Sequence, residues 1–163
     1  MSRLDSFIRR LEAQRACLDR VAAEVRDRPG PVLEVGLGNG RTYDHLRDRL
    51  PGRPIHAFDR QLAAHPACVP PDGLLLLGDI RQTVPAAAAR LGPAVLIHSD
   101  IGSGEAAANA ALAAAMAALY AAALAPGGLL LSDQPMAEPR LAPEALPPGV
   151  PEGRYFLYRR RAG

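Results

Sequence analysis

The chain of 163 residues contains no lysine and no tryptophan, only two cysteines, and only seven aromatic residues. Each absence removes a class of chemistry. Without lysine there is no Schiff base, no pyridoxal-phosphate anchor, no phosphate-loop lysine and no lysine general base. Cys17 and Cys68 stand 51 positions apart with no Cys-x-x-Cys and no paired histidines, which excludes a zinc or iron–sulfur site of cysteine type. Seven scattered rings make neither a base-stacking surface nor an aromatic cage. All 19 cations are arginine, set against 17 carboxylates, and a charge of +2 is too small to draw DNA or an acidic membrane. No nucleic acid and no membrane is expected as partner. The N-terminus opens a charged helix rather than a signal peptide, so a cytoplasmic protein with two buried free thiols is expected.

What is abundant is alanine, 31 residues, followed by 23 leucines. That leucine content supports one core, and the length suits a single domain. Positions 106–125 carry no charge for 20 residues, the length of a membrane span. Most of them are alanine, however, and only Leu112, Leu119 and Leu124 favour insertion strongly. A buried core helix is expected there, with Met116 and these leucines gripping the sheet.

Periodicity orders the rest. Residues 3–28 read as an amphipathic helix capped by Ser2, with Leu4, Phe7, Ile8, Leu11, Leu18, Val21, Ala22 and Val25 on one face. Pro29-Gly30-Pro31 stops it. Short apolar runs then alternate with helices: Val32–Val35, Pro54–Phe58, Leu74–Leu77, Ala94–Ser99 and Leu129–Ser132. A loop with six prolines between Pro135 and Pro151 leads to one last strand near Tyr155–Arg159, suited to an edge or antiparallel position. Continuous apolar strands separated by helices predict a doubly wound α/β fold, with a mostly parallel sheet sandwiched by helices. Three segments make up the single domain: the N-terminal helix (1–28), the α/β core (32–133), and the Pro-rich loop with the last strand (134–163). Ligands in such sheets bind beyond the carboxyl ends of the strands. An acid stands at each of five such ends: Glu34, Asp59, Asp79, Asp100 and Asp133.

After the first strand comes Glu34-Val35-Gly36-Leu37-Gly38-Asn39-Gly40. Alternate glycines permit positive φ and close backbone approach, and the following helix offers free N–H groups to an anion. A dinucleotide fingerprint needs glycine at position 41, where this chain has Arg41, so a nicotinamide-dependent oxidoreductase is disfavoured. The segment resembles motif I of class I S-adenosylmethionine-dependent methyltransferases, and the layout of residues 32–133 is similar to theirs. The resemblance implies S-adenosyl-L-methionine as cofactor, with Glu34, Gly36, Leu37, Gly38, Asn39 and Gly40 in its loop. It also implies Asp59 and Arg60 at the ribose, Gly78, Asp79 and Ile80 at the adenine, and His98 and Ser99 near the methionine moiety. His98 and Asp100 are then the catalytic candidates by position.

The expected activity is methyl transfer to a small-molecule acceptor. A non-catalytic binding protein is the alternative, because no inserted lid domain is evident. No metal is expected, although Asp100, Asp133 and Gln134 resemble the acid–acid–amide set of cation-dependent O-methyltransferases. His56 is expected in the core, and His45 and His65 at the surface or in loops. Tyr43 could pack or touch ligand, and Arg159-Arg160-Arg161 reads as a solvated strand end. A homodimer is expected, since an uncovered site and an exposed edge strand invite a partner.

Overall fold

The computed structural model describes residues 2–163. Helix α1 spans Arg3–Val25 and starts as the sequence predicts: the Ser2 hydroxyl accepts from Asp5 N–H, and the Asp5 carboxylate accepts from Ser2 N–H. This reciprocal cap satisfies amide donors that the first helical turn leaves free. The strands are β1 Val32–Val35, β2 Ile55–Asp59, β3 Leu75–Leu77, β4 Ala94–Ser99, β5 Leu124–Ser132, β6 Leu141–Glu144 and β7 Phe156–Arg160. Between them run α2 Arg41–Arg49, α3 Ile80–Leu91 and α4 Ala106–Ala123, with a short 3-10 turn at Pro66–Cys68.

All seven strands form one sheet in the order β3-β2-β1-β4-β5-β7-β6. The first five are parallel, and β7 runs antiparallel to both β5 and β6. The expected fold is therefore present, with one correction. Two strands follow Ser132, not one. The additional strand is Leu-Ala-Pro-Glu, whose Pro143 disguised it as loop; proline has no N–H to give a ladder and so survives on an edge.

Helices cover both faces. On one, α3 and α4 pack Val84, Met116 and Tyr120 against Leu33, Phe58, Ile97 and Leu130. On the other, α1 and α2 pack Leu18, Val21 and Leu46 against Ile55, Leu96, Leu129 and Leu157. Because α1 leads into the start of β1, it runs antiparallel to the strands and its N-terminal half points past their carboxyl ends. That explains a second correction. Leu4, Phe7 and Ile8, expected on the buried face, are 66%, 47% and 44% exposed. Burial begins only at Ala13 and Gln14.

Helix α4 buries one face only. Asn109, Ala113, Met116, Ala117, Tyr120, Ala121 and Ala123 are buried, while alanines on its other side are exposed. It is long and apolar enough to cross a membrane by length and composition, yet it lies on the sheet as a crossover between β4 and β5.

Candidate functional site

The turn after β1 is pressed between neighbouring strands. Gly36 and Leu37 N–H both donate to Phe58 O, and Asp100 N–H donates to Val35 O. Gly36, Gly38 and Gly40 all have positive φ, but for different reasons. A Cβ on Gly36 would lie 2.1 Å from Asp100 O, and one on Gly40 would lie 2.5 Å from Cys68 Cβ. At Gly38 a Cβ would meet nothing within 4 Å. Gly36 and Gly40 thus permit the turn, whereas Gly38 faces open space. Asn39 O accepts from His65 N–H at 2.9 Å, which ties the loop to the segment after β2.

That space is a cleft of about 580 Å³ over the carboxyl ends of β1, β2 and β4. Gly36, Gly38, Asp59, Arg60, Asp79 and Ile80 line one side, with Asp100 at the β4 end. Asp59 accepts from Gly38 N–H at 2.8 Å and from Arg60 N–H at 2.7 Å, so it shapes the loop as well as facing the cleft. Asp79 caps α3 through Arg81 N–H and grips the Arg81 guanidinium with both oxygens. Those hydrogen bonds lower its pKa to about 2. Gly78 N–H donates to Asp59 O, holding the two acids side by side. The opposite wall is one that composition alone did not reveal: Ala108, Ala111, Leu112 and Ala115 of α4, whose small side chains leave the width open.

Seven residues expected at the cofactor do not line the cleft, Asn39, Gly40 and Gly78 of the turns among them. Glu34, His98 and Ser99 are buried behind it, because strand side chains project into the layers above and below the sheet rather than off its end, and Leu37 is buried in the turn after β1. Ser99 Oγ pairs with Tyr120 OH at 2.9 Å on the α4 side. On the α1 side, His98 Nδ1 lies 2.7 Å from Glu34 Oε2, and Thr42 Oγ1 donates to Glu34 Oε1. Both Glu34 and His98 are wholly buried. The Tyr155 ring lies nearly parallel to the imidazole, centroids 6.1 Å apart, and Gln14 Nε2 donates to both Tyr155 OH and Asp100 Oδ2. Burial by itself would lower the His98 pKa. Glu34 beside it, together with Asp100 and Asp133, outweighs that, and the net shift is upward. Gln14, Thr42 and Tyr155 were not singled out in the sequence; a glutamine on a buried helix face was the one available signal.

The acids at β4 and β5 are engaged by neighbouring donors. Asp133 accepts from Ile101 N–H at 3.2 Å and Gly102 N–H at 2.9 Å, and Gln134 turns its amide Nε2, not its oxygen, toward Asp133 at 3.1 Å. Asp100 is taken by Gln14 and by Arg10 at 3.6 Å. Among the described residues no group of three or more His, Cys, Asp or Glu could hold an ion. The set instead clamps the 101–104 loop, and a Cβ on Gly102 would strike Asp133 Oδ2 at 2.2 Å. Burial, the largest influence, raises the Asp133 pKa.

The remaining expectations sort quickly. Tyr43 is core, 2% exposed, with Arg47 over its ring. His56 is buried in β2, His45 pairs with Asp19 at 2.9 Å, and His65 caps the 3-10 turn. Cys17 is buried, but Cys68 is only partly so; both are free. Arg159 is not a solvated end. It bridges Glu24 of α1 and Glu144 of β6, while Arg160 donates to Ala121 O and Arg161 to Pro139 O.

Comparison with known proteins agrees with this geometry. A family model described as S-adenosyl-L-methionine methyltransferase matches residues 1–160. The crystal structure of an S-adenosyl-L-methionine methyl transferase from Silicibacter pomeroyi is 46% identical, with 98% of this chain and 99% of that one covered at a TM-score of 0.92. Two more distant structures share the fold. TrmN from Thermus thermophilus is 21% identical, covering 87% and 48% of the two chains with TM-score 0.60. The Podospora anserina methyltransferase PaMTH1, solved with S-adenosylhomocysteine bound, is 15% identical, covering 88% and 77% with TM-score 0.60. No curated protein sequence matches. The chain belongs to the S-adenosyl-L-methionine methyltransferase family, and its cofactor is S-adenosyl-L-methionine.

Proposed function

We propose that this methyltransferase acts on a small-molecule acceptor that enters the cleft beside Asp100. The observation that carries the reading is the cleft itself: about 580 Å³, within the usual range of small-ligand sites, and built around the one loop glycine that faces open space. Asp59 suits the ribose hydroxyls, and Gly78, Asp79 and Ile80 suit the adenine, with Arg60 and Arg81 beside them. Loop residues 36–40 and the start of α2 suit the carboxylate of the methionine moiety. Asp100 suits its ammonium. Glu34, Leu37, His98 and Ser99 support this surface from behind.

The cofactor, when bound, supplies a methyl group on a sulfonium, which carries its own leaving group. What the chain then contributes is alignment: a glycine loop, an acid at the β4 end and an alanine-rich wall on α4 that fix where the acceptor can lie. Calorimetry with S-adenosyl-L-methionine, S-adenosylhomocysteine and NAD(H), followed by label transfer from S-adenosyl-L-[methyl-³H]methionine, tests the proposal. Binding of the first two ligands and label in a low-molecular-weight product are expected. Label found only in added RNA or protein would overturn the small-acceptor reading. The nicotinamide alternative falls with family membership.

A further inference from the structure

We infer that Gln14 of α1 is a positioning residue for the cofactor: its side-chain amide sets the direction of the Asp100 carboxylate, and through it the hold on the ammonium of the methionine moiety. The inference rests on the reading above in which Asp100 meets that ammonium. It brings α1, which precedes the glycine loop, into the working of the site.

Burial supplies the first observation. Gln14 is 7% exposed, and the other buried residues of α1 are alanine, cysteine, leucine and valine. An amide in such surroundings costs stability unless its polar atoms are bonded. Its place is also the point where the helix leaves the sheet, since burial on α1 begins at Ala13 and Gln14.

The second observation is where the amide points. Nε2 lies 2.9 Å from Asp100 Oδ2 and also donates to Tyr155 OH. A carboxylate only accepts, so the nitrogen of the amide, not its oxygen, must face Asp100. Nε2 carries two hydrogens and meets two acceptors, which fixes the amide between the β4 end and the residue before β7. Burial, followed by nearby Asp100, pushes the Tyr155 pKa upward, so the phenol stays neutral and adds no second negative charge at the amide.

Third, little else directs this carboxylate. Among the described residues its other side-chain partner is Arg10, whose half-exposed guanidinium stands 3.6 Å from Oδ1. An exposed ion pair at that distance contributes little. Both holds come from α1, one turn apart, while Asp100 itself lines the cleft. Without the Gln14 amide the carboxylate is left with a solvent-exposed partner alone. The residue type matters as well. A neutral donor orients the acid without cancelling the negative charge that an ammonium needs, whereas a cation at position 14 would cancel it.

Calorimetry with two ligands separates this role from a merely structural one. S-adenosylhomocysteine carries the ammonium; 5′-methylthioadenosine has the adenosine and the sulfur but no amino-acid end. Gln14→Leu keeps the bulk of the side chain and removes the donor. It should weaken S-adenosylhomocysteine about tenfold or more and leave 5′-methylthioadenosine within about twofold of the wild type. Gln14→Glu sets carboxylate against carboxylate and should weaken S-adenosylhomocysteine further, and Arg10→Gln should weaken it less than Gln14→Leu does. Unchanged S-adenosylhomocysteine binding in Gln14→Leu would overturn the inference, as would equal loss of both ligands or a larger effect in Arg10→Gln. Asp100→Asn tells the two readings apart. If it leaves S-adenosylhomocysteine affinity unchanged, the pairing of Asp100 with the ammonium fails; if it weakens binding while Gln14→Leu does not, the role of Gln14 fails alone. The wild type gives a readout that needs no variant to fold. In ¹⁵N-labelled protein the Gln14 side-chain amide signals should shift when S-adenosylhomocysteine is added and stay in place with 5′-methylthioadenosine; no shift with the former, or the same shift with both, would overturn the inference.

Discussion

Gly36 and Gly38 sit two residues apart in one turn, and substitution should separate their roles. Gly38→Ala adds a methyl group toward the cleft, where no protein atom lies within 4 Å, and costs only the left-handed backbone penalty of about 1–2 kcal/mol. It should fold, with cofactor affinity reduced about tenfold or more in calorimetry. Gly36→Ala drives a Cβ into Asp100 O and should fail to yield folded protein. Asp59→Ala removes the acceptor for Gly38 and Arg60 N–H as well as the proposed ribose partner, so a loss of about 1–3 kcal/mol in cofactor binding is expected. Unchanged affinity would refute the assignment. His98 makes stability depend on pH. Its folded pKa is raised above the ordinary 6.5, so its contribution is full below that value and is lost as pH rises through the folded pKa. The urea midpoint of the wild type should therefore fall across this window more steeply than that of His98→Asn.

Among the elements, α4 shows how a composition that looks merely economical acquires a purpose through placement. One face packs on the sheet, another forms the cleft wall, and a third meets solvent. Leucine introduced on each face should therefore give three different results. Ala117→Leu overpacks the core and should cost about 1–3 kcal/mol in denaturant unfolding. Ala111→Leu should leave stability alone and narrow the cleft, weakening cofactor binding in calorimetry. Ala118→Leu, exposed and away from the cleft, should change neither. Helix α1 divides in a similar way along its length. Amides before Ala13 have little packing behind them and should exchange with deuterium much faster than those of residues 13–25.

Over the whole molecule, the sheet edges and the exposed apolar side chains bear on assembly. The edge route to a dimer is weak: β3 has three residues, and β6 carries Pro143, both devices that blunt an edge. Of the exposed large apolar side chains, Leu62, Val69 and Leu77 are spread over β3 and the segment before it, whereas Leu4, Phe7 and Ile8 share the projecting part of α1. We propose a homodimer through this stripe. Light scattering should give twice the chain mass for the wild type and the chain mass for a Leu4→Glu, Ile8→Glu variant; a monomeric wild type would remove the proposal. Closing the sheet at its other margin, Arg159 ties α1, β7 and β6 together through Glu24 and Glu144. Arg159→Ala leaves two partly buried carboxylates without that partner and should lower stability by about 1–2 kcal/mol.

The order of strands and helices, the glycine turn and the five strand-end acids were legible from the residues in line, because apolar periodicity and turn chemistry are local properties. The family was suggested by the resemblance of residues 34–40 to a known motif and is shown by the family match over residues 1–160. What the linear pattern could not supply was direction. It placed Glu34, Asp59, Asp79, Asp100 and Asp133 at strand ends, but only the packed sheet turns Asp59, Asp79 and Asp100 into the cleft, buries Glu34 against His98 and folds Asp133 onto the 101–104 loop. Likewise Gln14, Tyr155 and His98 are separated by more than fifty residues from one another and meet only because α1 and β7 close over the same end of the sheet. Residue type and spacing set which chemistry was available to this chain; the side-chain directions imposed by neighbouring strands decided which of those groups face a ligand and which hold the others in place.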